Sequence, residues 1–216
     1  ARVLLVDLNA QAVQAKAQAL GENARHAVAD ISDEAAAASA VQVALDAFGG
    51  LHGLINCAGI VGAEKILGRQ GPHALANFAK VVQVNLVGSF NMLRLAAAAM
   101  AEGPADALGE RGVIINTASV AAYDGQVGQA AYAASKAAVA GLTLTAARDL
   151  AQHRIRVATI APGTFATPLL AGLPEETREV LEAQTPHPAR LGHPDEYAAL
   201  AAHVVENPML NGEVIR

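Results

Sequence analysis

Three side chains in one stretch of this sequence could handle a proton together. Tyr132 and Lys136 stand four residues apart in a long Ala-rich segment that begins near Ala130. Helical spacing puts both on one face, one turn from each other. Ser119 lies upstream, at the end of the short branched apolar run Val113-Ile114-Ile115 and its polar tail Asn116-Thr117-Ala118-Ser119. A free phenol has a pKa near ~10 and is a poor base at neutral pH. An ammonium one turn away favours the phenolate and lowers that value. Tyr132 could then exchange a proton with an alcohol or carbonyl oxygen, while Ser119 hydrogen-bonds the same oxygen. The set suits interconversion of an alcohol and a ketone, with hydride passing to a cofactor. A bare Tyr-x-x-x-Lys pair is common on ordinary helices, and the serine at a strand end is what gives this one weight.

The elements that must position these groups alternate. Arg2 to Asp7 reads as a buried parallel-type strand, and residues 11–20 as a helix stopped by Gly21. His26 to Ala29 is a second strand ending in Asp30. Asp33 caps a helix to Phe48 that Gly49-Gly50 ends. Leu51 to Ile55 is a strand closed by Asn56-Cys57-Ala58-Gly59, and a loop runs to Gly71. A long helix, with room for a break, spans Pro72 to Met100. The Val113 strand, the Tyr132 helix and the strand Arg154 to Ile160 follow. A Pro/Gly loop leads to a segment over 165–186 with a short helix. Asp195 to Val205 is a last helix, and Gly212 to Arg216 starts a last strand. This is an α/β fold: a doubly wound parallel sheet with helices on both faces, in one domain over 1–216. Ligands of such sheets bind at the strand ends.

Composition narrows the function classes. The chain has 216 residues, 53% of them hydrophobic, enough for a sizeable core. No charge-free apolar run reaches the roughly 18 residues of a membrane span. The start of the chain does not read as a signal peptide. One cysteine excludes an internal disulfide framework and suits a reducing, cytoplasmic setting. A net charge of −5 and 3% aromatics argue against nucleic acid as a partner. The seven histidines show no metal-ligand spacing, so no metal is assigned. Cys57 has no nearby base in sequence and reads as inert core.

The sequence resembles the short-chain dehydrogenase/reductase family along nearly its whole length. The resemblance rests on Ser119, Tyr132-Ala-Ala-Ser-Lys136, Asn56-Cys57-Ala58-Gly59, Asn85 in VVQVNLVGSF, and Pro162-Gly163. Longer strings, among them INTASVAAYDGQVGQAAYAASK, IAPGTFATPLL, RLGHPDEYA and ENPMLNGEVIR, are similar to the branch of type-2 3-hydroxyacyl-CoA dehydrogenases. The resemblance implies a nicotinamide cofactor and an acyl-CoA substrate in fatty-acid metabolism. A carboxylate at the end of the first strand, Asp7, hydrogen-bonds an adenosine ribose and repels a 2′-phosphate, which favours NAD over NADP. Its other reading, shared by Asp30, is a solvated cap for the next helix. The resemblance has Asp30 and Ile31 bracket the adenine, and Cys57 and Ala58 offer backbone to the ribose. It has Phe165 and Thr167 touch the nicotinamide end. It gives Asn85 a water-linked contact to Lys136 that completes a proton relay.

One departure from the family pattern is large. The family's first strand and its TGxxxGxG turn are missing, which leaves a gap between the strands carrying Asp7 and Asn56. We read the chain as a version of a longer protein trimmed at both ends, the alternative being a natural deletion with a rearranged sheet. Two other functions stay open: a hydroxysteroid or other secondary-alcohol dehydrogenase, and a non-catalytic scaffold that keeps the fold. Leu169, Leu170, Leu173, Val180 and Leu181 among prolines and glycines suggest a lid over the substrate, against the alternative of a permanently packed satellite helix. Ala79 to Met100 and Tyr132 to Ala151 lack a full charged face. Their outer sides call for cover by a second copy about a two-fold axis, and the resemblance implies a homotetramer.

Overall fold

The computed structural model describes residues 1–167, 170, 175–183 and 185–216, with the backbone alone at 177–180. Its central sheet has four parallel strands, β3 (Gly53–Asn56), β6 (Gly112–Thr117), β7 (Ile155–Ile160) and β8 (Val214–Ile215), in the order β3-β6-β7-β8. β1 (Val3–Asp7) and β2 (Ala24–Val28) form a separate parallel pair, with Val3 opposite Ala24 and Asp7 opposite Val28. β1 and β3 share no ladder, so the gap expected beside Asp7 is present. A small antiparallel hairpin, β4 (Leu67–Gly68) with β5 (Gly71–Pro72), interrupts the stretch expected as plain loop.

The strand pattern explains the layers. Side chains alternate across β6 and β7. Ile114, Ile155 and Val157 meet α4 (Ser89–Glu102) and α5 (Ala130–Leu150) on one face. Val113, Ile115, Ala158 and Ile160 meet Ala201 and Val204 of α7 (Pro194–Glu206) on the other. Both faces being covered, these strands are apolar almost throughout, as parallel strands are. α2 (Glu34–Phe48) starts at Asp33, whose carboxylate accepts from the Ala36 N–H at 2.7 Å. It ends at Gly49, φ 77°, in the left-handed conformation that favours glycine.

Several expected boundaries move. β2 begins at Ala24, because a single turn over Gly21–Asn23 delivers the chain there to pair with Val3. β3 begins at Gly53, the first residue in register with Val113. The long helix divides into α3 (Leu75–Val82), a π turn over Gln83–Gly88 and α4, which places the anticipated break around Asn85. Leu75–Glu102 is long and apolar enough to cross a membrane by length and composition. Half of that window is buried in the protein, against the sheet and the neighbouring helices. In the segment expected as a lid, α6 (Glu175–Ala183) is the short helix. Leu169 and Leu173, and the Val180 side chain, lie outside the described residues.

Candidate active site

β6 delivers the chain to the sheet's carboxyl edge at Thr117, and Ser119 follows two residues later. Ser119 caps the single turn Val120–Ala122 by accepting from the Ala121 N–H at 3.1 Å, which fixes its hydroxyl. α5 then runs back along the sheet and presents Tyr132 and Lys136 one turn apart. The Ser119 side chain stands near enough to the Tyr132 hydroxyl to favour its ionised form. The Lys136 ammonium lies 5.8 Å from the centre of the Tyr132 ring and donates to the Thr117 carbonyl at 2.7 Å. Three groups from one stretch of sequence thus face one region at the carboxyl edge of the sheet.

The electrostatics differ from the expectation for the tyrosine. Burial pushes the Tyr132 hydroxyl above its ordinary pKa, and the neighbouring Ser119 hydroxyl only partly offsets this. Burial lowers Lys136 to about 8, with Cys57 opposing the fall. The reason is desolvation: both groups are largely withdrawn from water, and this outweighs their mutual influence. In this state the phenol keeps its proton and is a donor.

Asn85 is fully buried and holds the loop after β3. Its amide oxygen accepts from the Ile60 N–H at 2.8 Å, and its amide nitrogen donates to the Ile60 carbonyl at 2.9 Å and the Ser135 hydroxyl at 3.0 Å. Ser135 donates in turn to the Tyr132 carbonyl at 2.8 Å. Asn85 therefore ties the loop beyond Asn56 to the first turns of α5. Gly59 sits between these parts: a Cβ there would lie 3.2 Å from the Asn85 amide oxygen and 3.5 Å from the Lys136 nitrogen. A side chain there would press on the Asn85 amide oxygen, so the glycine lets the loop sit close against it.

The candidate cofactor residues line the strand ends. Asp7 is exposed at the end of β1, and its carboxylate accepts from the Asn9 N–H at 2.8 Å. The cap of α1 (Ala10–Leu20) is Asn9, so Asp7 is not spent as a cap. Asp30 accepts from the Ser32 N–H and hydroxyl, bonds that hold its carboxyl below the usual range, and Asp33 is the cap of α2. Ile31 is buried against Gly88, where a Cβ would come within 2.9 Å of its side chain. Ala58 is exposed beside Cys57. Cys57 is exposed as well, not inert core, because β3 ends one residue before it. Phe165 pairs with Gly192, and Thr167 is half-buried, its carbonyl accepting from the Leu170 N–H.

Four residues escaped the sequence reading. Thr117 supplies the carbonyl under Lys136, and Tyr197 hydrogen-bonds the Thr117 hydroxyl. Ser135 links Asn85 to α5. Asn91 is buried and donates to the Ile31 carbonyl at 2.9 Å, fixing the loop after β2. Asn91 carried the same signal as Asn85, an amide inside an apolar helix that needs partners.

The family model for short chain dehydrogenases matches residues 1–178. The chain belongs to that family. It is 50% identical over 218 residues to the 3-hydroxyacyl-CoA dehydrogenase type-2 of Homo sapiens, covering 100% of this chain and 84% of the relative. It is 49% identical to the enzyme of the same name from Drosophila melanogaster, covering 100% and 86%. Among solved structures, a 3-hydroxyacyl-CoA dehydrogenase type-2 from Mycobacterium avium superposes with a TM-score of 0.93 at 41% identity, over 99% of this chain and 83% of that one. Membership makes this chain an oxidoreductase, and its fold is the Rossmann-like sheet expected from the sequence.

Proposed function

We propose that the chain interconverts 3-hydroxyacyl-CoA and 3-oxoacyl-CoA thioesters with NAD, using Tyr132 as the proton-transfer group. The observation that carries this is the buried Lys136 ammonium held between the Thr117 carbonyl and the Tyr132 ring, with the Ser119 hydroxyl close enough to the tyrosine hydroxyl to favour its ionised form. The names of the relatives support the acyl-CoA substrate, and Asp7 supports NAD over NADP.

The residues present fit a nicotinamide cofactor at both of its ends. At one end the Asp7 carboxylate is exposed at a strand terminus. At the other, the Lys136 ammonium is held at the Thr117 carbonyl beside the exposed backbone of Cys57 to Gly59. When bound, the nicotinamide accepts or supplies the hydride at the carbinol carbon. Ser119 orients the substrate oxygen. In reduction Tyr132 gives that oxygen a proton; in oxidation it takes one, and the Lys136 charge favours the phenolate so formed. Burial excludes competing water around both groups.

The test is NADH oxidation by the full chain with acetoacetyl-CoA, beside parallel reactions with NADPH and with a ketosteroid. We expect turnover fastest with NADH and the thioester. Faster turnover of the ketosteroid would replace the acyl-CoA assignment, and a chain that neither binds NADH nor reacts would favour the scaffold reading.

A further inference from the structure

We propose that Tyr197, through Thr117, is a positioning residue that sets the catalytic lysine and ties it to the segment holding the nicotinamide end. This rests on the dehydrogenase reading above. The two sides of the sheet meet at Thr117. Its side chain follows Val113 and Ile115 onto the α7 face, where its hydroxyl lies 2.7 Å from the Tyr197 hydroxyl. Its carbonyl receives the Lys136 ammonium, 2.7 Å away, from α5 on the opposite face. One residue thus has its backbone engaged by the lysine and its side chain by a tyrosine from the far layer.

Tyr197 makes a second connection. Its ring meets Phe165 edge to face, centroids 6.5 Å apart at 90°. Phe165 belongs to the loop after Pro162-Gly163, and it is pinned from behind. The Gly192 N–H donates to the Thr164 carbonyl at 2.9 Å, and the Ala166 N–H donates to the Gly192 carbonyl at 2.8 Å. A Cβ on Gly192 would fall 2.7 Å from the Phe165 ring, so the ring rests directly on that backbone. Movement of Phe165 is therefore felt by Tyr197, and through the two hydroxyls by the carbonyl that holds Lys136.

The chemistry of the tyrosine fits a structural donor and not a second acid. Burial raises the Tyr197 hydroxyl well above its ordinary pKa, so it stays protonated at any pH at which the enzyme works. A buried hydroxyl needs a partner, and Thr117 supplies it. The Thr117 hydroxyl also lies 3.9 Å from the sulfur of Cys57, the residue after β3.

Hydroxyl and shape can be separated. Tyr197→Phe keeps the ring and its Phe165 contact; Thr117→Val keeps the volume and loses the hydroxyl; Thr117→Ser keeps the hydroxyl and loses the methyl. NADH affinity by fluorescence, kcat and KM for acetoacetyl-CoA, and the melting temperature of the unliganded protein are measured for each. We expect Tyr197→Phe and Thr117→Val each to lower NADH affinity and kcat by about 3- to 10-fold, the size of one uncharged hydrogen bond expressed as a ratio. KM for acetoacetyl-CoA should hardly move. Together the two changes should cost no more than the worse one alone, since they remove the same bond. Thr117→Ser should bind NADH and turn over better than Thr117→Val. The opposite ranking, or additive losses, would reduce the pair to packing and overturn the proposal. So would near-normal NADH affinity and kcat in Tyr197→Phe. Failure of the unmodified chain to bind NADH or reduce any substrate would instead remove the dehydrogenase reading itself.

Discussion

At the scale of single residues, the site is a competition between burial and charge, and burial wins in the unliganded chain. Tyr132 is held protonated and Lys136 is lowered to about 8. Tyr132→Phe removes the transferable proton and leaves the ring in place. We expect kcat to fall by at least ~10²-fold, the lower range for a general acid–base group, with folding intact. Near-normal turnover by the Phe variant would remove the tyrosine from the mechanism. Lysine burial also has a stability consequence with a definite sign. Below pH 8 Lys136 is charged in both folded and unfolded states. Between about pH 8 and its ordinary value the unfolded chain holds the extra proton, so this group's contribution to stability rises with pH. The slope is at most about 1.4 kcal/mol per pH unit. Denaturant unfolding across that window should show the rise in the native protein and a flatter profile in Lys136→Met. Asp7 tests the cofactor proposal through its repulsion of a 2′-phosphate. Asp7→Ala should narrow the preference for NAD over NADP in kcat/KM, and an unchanged ratio would leave Asp7 as the acceptor for the Asn9 N–H and no more.

At the scale of elements, Asn85 turns a π turn into a clamp. The extra residue in Gln83–Gly88 brings its amide to the Ile60 backbone and to Ser135. Asn85→Ala would remove both partners of the half-buried Ile60 N–H and carbonyl, at a cost of about 1 kcal/mol for each lost bond. Hydrogen exchange should show protection lost at Ile60 and retained in β6; uniform loss along the chain would mean general unfolding and no clamp. Asn85 also shows what the sequence could and could not disclose. A buried amide in an apolar helix was legible as a group needing partners, and the Ser119, Tyr132 and Lys136 meeting was legible because helical period and a strand end are local rules. The partner of Asn85 was not, since Ile60 is 25 residues away and is placed by β3 and its loop. Tyr197 and Thr117, 80 residues apart, were invisible for the same reason. The order of strands and helices could be read from alternation, whereas the starts of β2 and β3 depend on register with partners. The exposure of Cys57 follows from where β3 stops, which again is set by pairing with β6.

At the scale of the whole molecule, the outer face of α4 and α5 remains to be accounted for. Their inner sides fill the core, yet Phe90 is 46% exposed and Leu144 47%. A groove of about 330 Å³ lies between the two helices, lined by Phe90, Ala97, Ala98, Leu142 and Thr145, with Arg94 and Asp149 also on its walls. A helix facing water should carry a full polar face, which these lack. The resemblance stated from sequence implies a homotetramer, and a second copy about a two-fold axis would bring the same helices against each other. Ala140 is not the place to disturb that contact, because it packs inward beside Ala118 and Val139. Ala98 is exposed and lines the groove, one turn after Arg94. A glutamate there can pair with that arginine within one chain, so the fold should survive. In a two-fold contact, however, Ala98→Glu would bury carboxylates from both copies in an apolar seam, an arrangement that is strongly disfavoured. Sedimentation should show the native chain as a dimer or tetramer and the variant shifted to a smaller species with an unchanged far-ultraviolet spectrum. A native chain that sediments as a stable monomer at micromolar concentration would mean that the apolar face is covered by something other than its own copy.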